Sequence, residues 1–405
     1  MSTWAPLRST SLRLGPVGTA AAATALTALF FIFIFVRRTI WSRTPSRPIA
    51  VSPARERVLV LGASSGLGRA LALRYAARGA RLCVVARRGE RLRELVGECE
   101  GVVGGGGVGV GGAGEGGEKC IWEAADFSSP EDMVRVRERL LAEWGGVDTV
   151  LVCAGVAAVR PLMELTRLGA NSSVPSSSSS SSPPSSSSPP SSSSPSSSSS
   201  SPPLTPNTNT SVAPGKQEQD ATTEGLHTAL TIATRATQAN FLGPLVAATA
   251  FVPLLTRTSA APALLLVSSV AAVVPAPTRA LYAATKAAAL LLYQSLAIEH
   301  PGVAVATVLP ATIEGDFRAG AVDVVDEKKG GEQGGKGEGE KERGKYNMKG
   351  LKLGYVAQRC VDAVDRGVRG CVVVPWFPYA VAHHLYYVWP SFIEGRARRK
   401  YGFEA

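Results

Sequence analysis

Short apolar runs alternate along the chain with longer segments that mix apolar and charged residues. Such runs are typical of buried strands, and the longer segments are typical of helices. The predicted strands are 57–61, 81–86, 119–124, 148–153, 263–267, 303–309 and 371–374. The predicted helices are 69–78, 89–98, 130–144, 224–250, 354–368 and an alanine-rich helix that carries Tyr282 and Lys286. Regular alternation of strand and helix predicts an α/β fold with a doubly wound parallel sheet.

Three stretches without core-forming content interrupt this alternation. Residues 101–117 are almost wholly glycine and valine, 171–219 are mainly serine and proline, and 326–345 are mainly glycine, glutamate and lysine. We expect flexible insertions there, because such compositions cannot form a packed core. A long surface loop costs little closure entropy, so a single domain over 57–375 tolerates all three. A fusion boundary within 171–219 is the alternative, although the pattern resumes afterwards in order.

The segment 17–36 is uncharged, and its length matches the hydrocarbon core of a bilayer. A tail, 1–16, precedes it, and a basic linker, 37–56, follows with Trp41 and several arginines at the expected interface. We predict a single-pass anchor in the endoplasmic reticulum membrane, with the domain in the cytosol by the positive-inside rule. A cleaved signal peptide and a mitochondrial presequence are the alternatives.

The net charge of +11 is concentrated near the N-terminus, where residues 1–57 hold eight arginines and one acidic residue. No basic face interleaved with aromatic residues is evident, so a nucleic-acid partner is not expected. The six cysteines and four histidines show no metal-ligand spacing, and no metal site is predicted. The C-terminal segment, 376–405, is aromatic, broken by proline and basic. A membrane-surface segment, a substrate-entry flap and a packed helix all fit it.

A glycine-rich turn follows the first predicted strand and leads into a helix. Glycines allow close approach of a pyrophosphate, and a helix N-terminus offers free N–H groups, so the turn predicts a dinucleotide site. A plain glycine-rich turn is the alternative. The candidate cofactor-binding residues of the turn are Gly62, Ser64, Ser65, Gly66, Leu67 and Gly68.

Two further positions bear on the cofactor. Arg87 and Arg88 end the second strand, where an arginine suits a ribose 2′-phosphate and an acid would suit a 2′-hydroxyl. NADP(H) is therefore favoured over NAD(H), unless the arginines are only solvated charges at the start of the next helix. Asp126 and Phe127 end the third strand, where an adenine could lie.

Tyr282 and Lys286 are four residues apart, so they lie on one helical face. An ammonium beside a phenol lowers the pKa of the phenol, which can then exchange a proton with a carbonyl or alcohol oxygen. Ser269, thirteen residues before Tyr282, can bind the same oxygen. Taken alone, the pair could equally be surface residues. Asn240 interrupts an apolar helical run, which fits either a functional or a packing role.

With this turn, Asn240, Ser269, Tyr282 and Lys286 in order, the chain resembles the short-chain dehydrogenase/reductases, which have a Rossmann-type fold. The resemblance implies that Tyr282 is the general acid/base and that Lys286 lowers its pKa and holds the nicotinamide ribose. It further implies that Ser269 orients the carbonyl and that Asn240 keeps a proton-relay water. The resemblance also places Ala154, Gly155, Asp126 and Ile313 along the cofactor.

The chain departs from the family pattern at Leu61, at Val152 and Cys153, at Ala311 and at Gly315, which affects the positioning of the cofactor. The predicted anchor and the arginines after the second strand most resemble microsomal members, both 11β-hydroxysteroid-dehydrogenase-like enzymes and 3-ketosphinganine reductases.

The expected function is a membrane-anchored NADP(H)-dependent oxidoreductase that reduces a lipid-like or steroid-like ketone or oxidises the matching alcohol. The alternative is a cofactor-binding membrane scaffold without turnover. A hydrophobic small molecule and the membrane are the expected partners, and the sequence leaves open whether copies of the chain associate as a homo-oligomer.

Overall fold

A computed structural model describes residues 47–104, 119–167, 220–323 and 350–403, together with Thr24. Seven parallel strands form one sheet in the order β3-β2-β1-β4-β5-β6-β7. The strands are β1 Arg57–Leu61, β2 Arg81–Ala86, β3 Cys120–Ala124, β4 Thr149–Val152, β5 Ala263–Val267, β6 Ala304–Pro310 and β7 Gly370–Val374. This is the predicted Rossmann-type architecture, and the order reverses direction between β1 and β4.

Helices cover both faces of the sheet. They are α1 Gly66–Ala77, α2 Gly89–Gly104, α3 Pro130–Trp144, α4 Thr223–Thr237, α5 Gly243–Thr258, α6 Ala280–Glu299, α7 Leu353–Asp365, α8 Trp376–Val388 and α9 Pro390–Tyr401. A π-helical turn, Gln238–Leu242, joins α4 to α5. Single helical turns, Arg47–Ala50 and Leu162–Leu165, lie outside these elements.

The central strands are apolar throughout because helices bury both of their faces. All residues of β4 and β5 are buried, including Leu151 and Leu265 on one face and Val152 and Leu266 on the other. One core lies between the sheet and α1 and α7, and the second lies between the sheet and α3, α5 and α6. These two cores hold the carboxyl ends of the strands, where the candidate site lies, in fixed positions.

Local sequence signals account for α3. The Ser129 side chain accepts a hydrogen bond from the Asp132 amide and caps the N-terminus. Gly145 ends the helix in the left-handed conformation, which glycine adopts without steric cost. The predicted bounds, 130–144, are confirmed.

The bounds of four predicted helices differ from the structure. Helix α1 spans Gly66–Ala77 rather than 69–78, and α7 spans Leu353–Asp365 rather than 354–368. Helix α2 continues through the first four residues of the glycine–valine stretch, to Gly104. The helix predicted over 224–250 runs to Thr258, because Pro253 does not end it. The π-helical turn also interrupts this helix. The remaining parts of the three predicted insertions lie wholly or almost wholly outside the described residues.

Among the described residues, the stretches Thr223–Thr258 and Ala280–Glu299 are long and apolar enough to cross a membrane. Both flank the sheet, and Phe251, Leu254 and Tyr293 are buried in its second core. Packing in the domain therefore accounts for their hydropathy. The predicted anchor, 17–36, lies outside the described residues apart from Thr24.

A buried ion pair ties the start of the domain to the amino end of the sheet. The Arg47 guanidinium pairs with Glu56 and donates to the Thr149 hydroxyl and to the carbonyls of Asp148 and Ala261. The Thr149 hydroxyl donates to the same Glu56 carboxylate. We call Arg47, Glu56 and Thr149 the N-terminal latch. Both of its charged side chains are almost completely buried.

The aromatic C-terminal segment forms the two helices α8 and α9, and α8 contacts the domain. Ala380 is buried, and the His383 ring lies 3.1 Å from the Val273 carbonyl. Several large apolar side chains remain exposed on these helices and just beyond them: Phe377, Tyr387, Val388, Trp389, Phe392 and Phe403.

Candidate active site

A cleft of about 2190 Å³ opens at the carboxyl ends of the strands. Ligands of doubly wound sheets bind at this edge, where the strand order reverses, here between β1 and β4. The cleft brings together predicted site residues from the glycine-rich turn, the ends of β2, β3 and β4, and the helix of Tyr282. Helices α8 and α9 line its other side.

The glycine-rich turn has the close packing that a dinucleotide cradle requires. Gly62 has φ +90°, and a Cβ there would lie 2.6 Å from the backbone nitrogen of Ala154 at the end of β4. A side chain at Gly62 would therefore push the glycine-rich turn away from the segment that follows β4. The turn then enters α1 at Gly66, so its free N–H groups lie at a helix N-terminus. These residues fit a pyrophosphate.

Arg88, rather than Arg87, contacts the glycine-rich turn. Its guanidinium donates to the Ser64 hydroxyl at 2.9 Å and to the Ser65 hydroxyl at 3.2 Å. Arg87 also lines the cleft. The sequence predicted an arginine beside the glycine-rich turn at the end of β2. In the structure, that arginine is Arg88.

Asp126 and Phe127, which follow β3, line the cleft. The Asp126 carboxylate accepts hydrogen bonds from the Ser128 amide and hydroxyl, and the Asp126 amide donates to Asp132. The Phe127 ring packs so tightly on α5 that a Cβ at Gly243 would lie 2.2 Å from it. Both residues line the cleft as predicted, and both also have structural contacts.

Tyr282 and Ser269 meet at the floor of the cleft. Ser269 lies two residues after the end of β5, and its hydroxyl accepts a hydrogen bond from the Ala271 amide. The same hydroxyl lies near enough to the Tyr282 side chain to act on the pKa of the phenol. Ser268 instead continues the sheet, since its amide donates to the Val308 carbonyl. The structure thus brings together the serine and the tyrosine that the thirteen-residue spacing singled out.

Burial raises the pKa of Tyr282 above its ordinary value. The Ser269 hydrogen bond and the charges of Arg279 and Arg318 oppose this increase without overcoming it. Lys286 is not among the groups whose charge acts on the pKa of Tyr282 here, and its predicted lowering of that pKa stays a prediction. The Lys286 ammonium donates to the Val267 carbonyl at 3.2 Å, and two arginines supply the positive charge near Tyr282 instead.

Lys286 is a buried cation beneath the cleft, 3% exposed. Burial lowers the pKa of Lys286 to about 8. Gly155 makes this position possible, because a Cβ there would lie 2.9 Å from the Lys286 amine and 2.8 Å from the Asn240 carboxamide oxygen. The predicted residues Gly155, Asn240 and Lys286 therefore converge at one point.

Asn240 is completely buried in the π-helical turn between α4 and α5. Its carboxamide accepts from the Val156 amide at 2.9 Å and donates to the Val156 carbonyl at 3.0 Å and to the Thr285 hydroxyl at 3.1 Å. The extra residue of a π turn redirects a side chain toward a functional site. Asn240 thus fixes the loop after β4 against the helix of Tyr282.

The chain matches a family model described as short chain dehydrogenase over residues 56–171 and 219–324, more than half of its length. The chain belongs to the short-chain dehydrogenase family. The resemblance carried by the glycine-rich turn and by Ser269, Tyr282 and Lys286 is thereby confirmed.

Curated relatives of this dehydrogenase align over part of their length. A hydroxysteroid 11-beta-dehydrogenase 1-like protein of Danio rerio is 32% identical over 127 residues, 31% of this chain and 38% of the relative. The 11-beta-hydroxysteroid dehydrogenase-like 3 protein of Arabidopsis thaliana is 37% identical over 103 residues, 25% of this chain and 29% of the relative. The alignments thus cover less than half of these relatives.

Solved dehydrogenases share the fold. A short chain dehydrogenase/reductase from Burkholderia phymatum in complex with NAD has a TM-score of 0.53 at 16% identity, covering 82% of this chain and 92% of that one. A short-chain type dehydrogenase/reductase from Mycobacterium ulcerans has a TM-score of 0.50 at 18% identity, covering 79% and 88%.

The remaining dehydrogenase positions also lie along the cleft. Ile313 pairs with Leu351 in an isolated bridge, and Ala154 contacts the glycine-rich turn as described above. Gly315, one of the departures from the family pattern, has φ +124° and begins the 3₁₀ turn Asp316–Arg318. This turn places Phe317 edge-on to the Tyr282 ring, with centroids 6.2 Å apart.

The sequence did not single out Arg279, Phe317, Arg318 or Thr285. Arg279 precedes Tyr282 by three residues, so the helical spacing that linked Tyr282 to Lys286 could also have indicated it. Phe317 and Arg318 have no such signal, because only the fold brings the turn after β6 to the helix of Tyr282.

The Lys286 pKa predicts how stability changes with pH. In the chain without added cofactor, the unfolded state binds more protons than the folded state between the folded pKa of about 8 and the unfolded value of 10.5. The free energy of unfolding should therefore rise with pH over this window, by about 3 kcal/mol at most. Urea titrations from pH 7.5 to 9.5 should show this rise in wild type. A Lys286→Met variant that shows the same rise would contradict the assignment.

Proposed function

We propose that this dehydrogenase interconverts a ketone and the matching secondary alcohol with a nicotinamide cofactor. The observation that carries the proposal is the pairing of Tyr282 with Ser269 at the floor of a large cleft, above the buried Lys286. Family membership and the names of the curated relatives support it.

Each side chain has a separate role in this proposal. The Tyr282 hydroxyl gives a proton to the carbonyl oxygen during reduction and takes one from the alcohol during oxidation. Ser269 holds that oxygen beside the phenol. The nicotinamide, when bound, supplies or accepts the hydride. The glycine-rich turn would hold the pyrophosphate of the cofactor, Arg88 the 2′-phosphate of its adenosine ribose, and Lys286 its nicotinamide ribose.

A substrate panel tests the proposal. The purified chain is incubated with NADPH or NADH and a set of lipid and steroid ketones, and absorbance at the nicotinamide band is followed. Turnover of a ketone supports the enzyme. Cofactor binding without turnover of any ketone or alcohol would instead support the scaffold alternative.

Arg88 is the residue on which we base a preference for NADP(H). A 2′-phosphate would add charge-assisted hydrogen bonds to an arginine already held at the turn by Ser64 and Ser65. Arg88→Gln should weaken NADPH binding about 10- to 100-fold and leave NADH binding nearly unchanged. Titration calorimetry measures both, and Arg87→Gln is the matched control. A larger loss in Arg87→Gln would return the role to Arg87.

We further propose that the domain is held at a membrane and takes its substrate from there. The predicted anchor and the exposed aromatic side chains of α8, beside the cleft, support this proposal. Basic residues on α9, including Arg396, Arg399 and Lys400, suit an anionic bilayer surface.

We propose that the domain faces the cytosol from the endoplasmic reticulum membrane, and deglycosylation tests this orientation. Glycans on Asn171 or Asn209, detected as a mass shift on deglycosylation, would contradict it.

A further inference from the structure

Two arginines from different elements flank the Tyr282 side chain. Arg279 is the N-cap residue that immediately precedes α6, three residues before Tyr282. Arg318 ends the 3₁₀ turn after β6, whose Phe317 ring packs edge-on to the Tyr282 ring. Both arginines line the cleft, both are half-buried, and the charges of both reach Tyr282.

The local backbone keeps Arg279 in place. Thr278 has φ +62°, a conformation that a β-branched residue adopts only at a cost. Such strain persists where the surrounding structure over-determines the backbone, often at binding sites. The Arg279 guanidinium also donates to the Ala158 carbonyl at 3.4 Å, which directs it across the cleft from its helix.

Positive charges from two separate elements meet beside Tyr282. Burial lowers the pKa of Arg318, and the like charge of Arg279 lowers it further, so the two guanidiniums repel each other. Arg318 is fixed by a hydrogen bond to the Thr312 hydroxyl at 3.0 Å. Glu314 and Asp316 also line the cleft, but both are exposed, so water screens their charges. The N-terminus of α6 adds a partial positive charge at the same place.

We propose that Arg279 and Arg318 bind an anionic group of the substrate, so that the preferred ketone carries a carboxylate or similar anion near its carbonyl. Guanidinium groups bind such oxygens through charge-assisted, often bidentate hydrogen bonds. The inference rests on the proposed function for the reacting carbonyl and adds the class of substrate.

The test compares acids with their neutral esters. The probes are 2-, 4- and 6-oxododecanoate and the methyl ester of each, and the full chain is used with the preferred nicotinamide cofactor. Wild type should favour at least one acid over its ester by about 10- to 100-fold in kcat/KM. In Arg279→Gln and in Arg318→Gln this ratio should fall about tenfold. A change in the Tyr282 pKa affects both members of a pair, so it cancels in the ratio.

Two control variants locate the effect. Arg279→Lys keeps the charge and should retain part of the preference, which also shows that the variant folds. Arg235→Gln removes another arginine of the cleft and should leave the ratio unchanged. Equal use of acids and esters by wild type, or a ratio unchanged in both glutamine variants, would overturn the inference.

Binding measured by calorimetry separates this inference from the proposed function. If the acids bind more tightly than the esters through Arg279 and Arg318 but none is turned over, the substrate-binding role stands and the proposed enzyme falls. If ketones are turned over with no preference for acids, the enzyme stands and the role of the arginines falls. If there is neither binding preference nor turnover, both are rejected.

Discussion

Replacement of Tyr282 by phenylalanine should lower kcat by about 10²- to 10⁴-fold, because it removes the hydroxyl that transfers the proton to the substrate oxygen. The phenylalanine ring keeps the edge-on contact with Phe317, so the fold should be preserved. Binding of NADPH should change little, since the glycine-rich turn and Arg88 are untouched. Stopped-flow measurement of hydride transfer and calorimetry of cofactor binding check the two expectations.

Ser269→Ala is the matched comparison for this variant. It removes the hydroxyl that lies near Tyr282 and leaves the phenol in place. We therefore expect a smaller loss of kcat than in Tyr282→Phe. If Tyr282→Phe retained the turnover of wild type, the proton would have to come from another group and the proposed function would fail.

Glu56→Gln should destabilise the domain by about 3–5 kcal/mol, because it leaves the Arg47 guanidinium as a buried charge without its carboxylate partner. The glutamine keeps the volume and shape of the side chain, so a packing defect would not explain the loss. Urea denaturation followed by circular dichroism measures the free energy of unfolding.

An exposed ion pair provides the control for this change. Arg69 and Glu98 pair across α1 and α2, and both side chains are more than 40% exposed. Glu98→Gln should therefore cost less than about 1 kcal/mol. A similar small loss in Glu56→Gln would show that the N-terminal latch does not hold the domain together.

Uninterrupted patterns made most of the fold predictable. Strands β1 and β2 have the predicted bounds because unbroken apolar runs end at a glycine-rich turn and at the Arg87–Arg88 pair. The serine–tyrosine–lysine constellation was predictable as well, because Ser269 and Tyr282 meet at the spacing read from the chain. Local composition therefore predicts the strand bounds, and residue spacing predicts which serine and tyrosine come together.

Electrostatics at the site depended on contacts that a linear pattern does not encode. The chain shows Lys286 one helical turn from Tyr282, but not that its ammonium binds the Val267 carbonyl. Arg318 reaches Tyr282 only because β6 returns the chain to that edge of the sheet. Likewise, Arg87 and Arg88 are adjacent residues of the same type, so composition could not show that Arg88 is the one that contacts Ser64.

If the proposed anchor spans a bilayer, the N-terminal latch limits how the domain can lie on that bilayer. Ten residues separate the end of the proposed anchor, Val36, from Arg47, and such a tether spans at most about 36 Å. A strand of five residues is about 17 Å long. The N-terminal latch lies at the edge of the sheet opposite the cleft. The ten-residue tether is nevertheless long enough to reach past the full length of a strand. The domain can lie on its side, with the aromatic side chains of α8 turned toward the lipid and the cleft open to it.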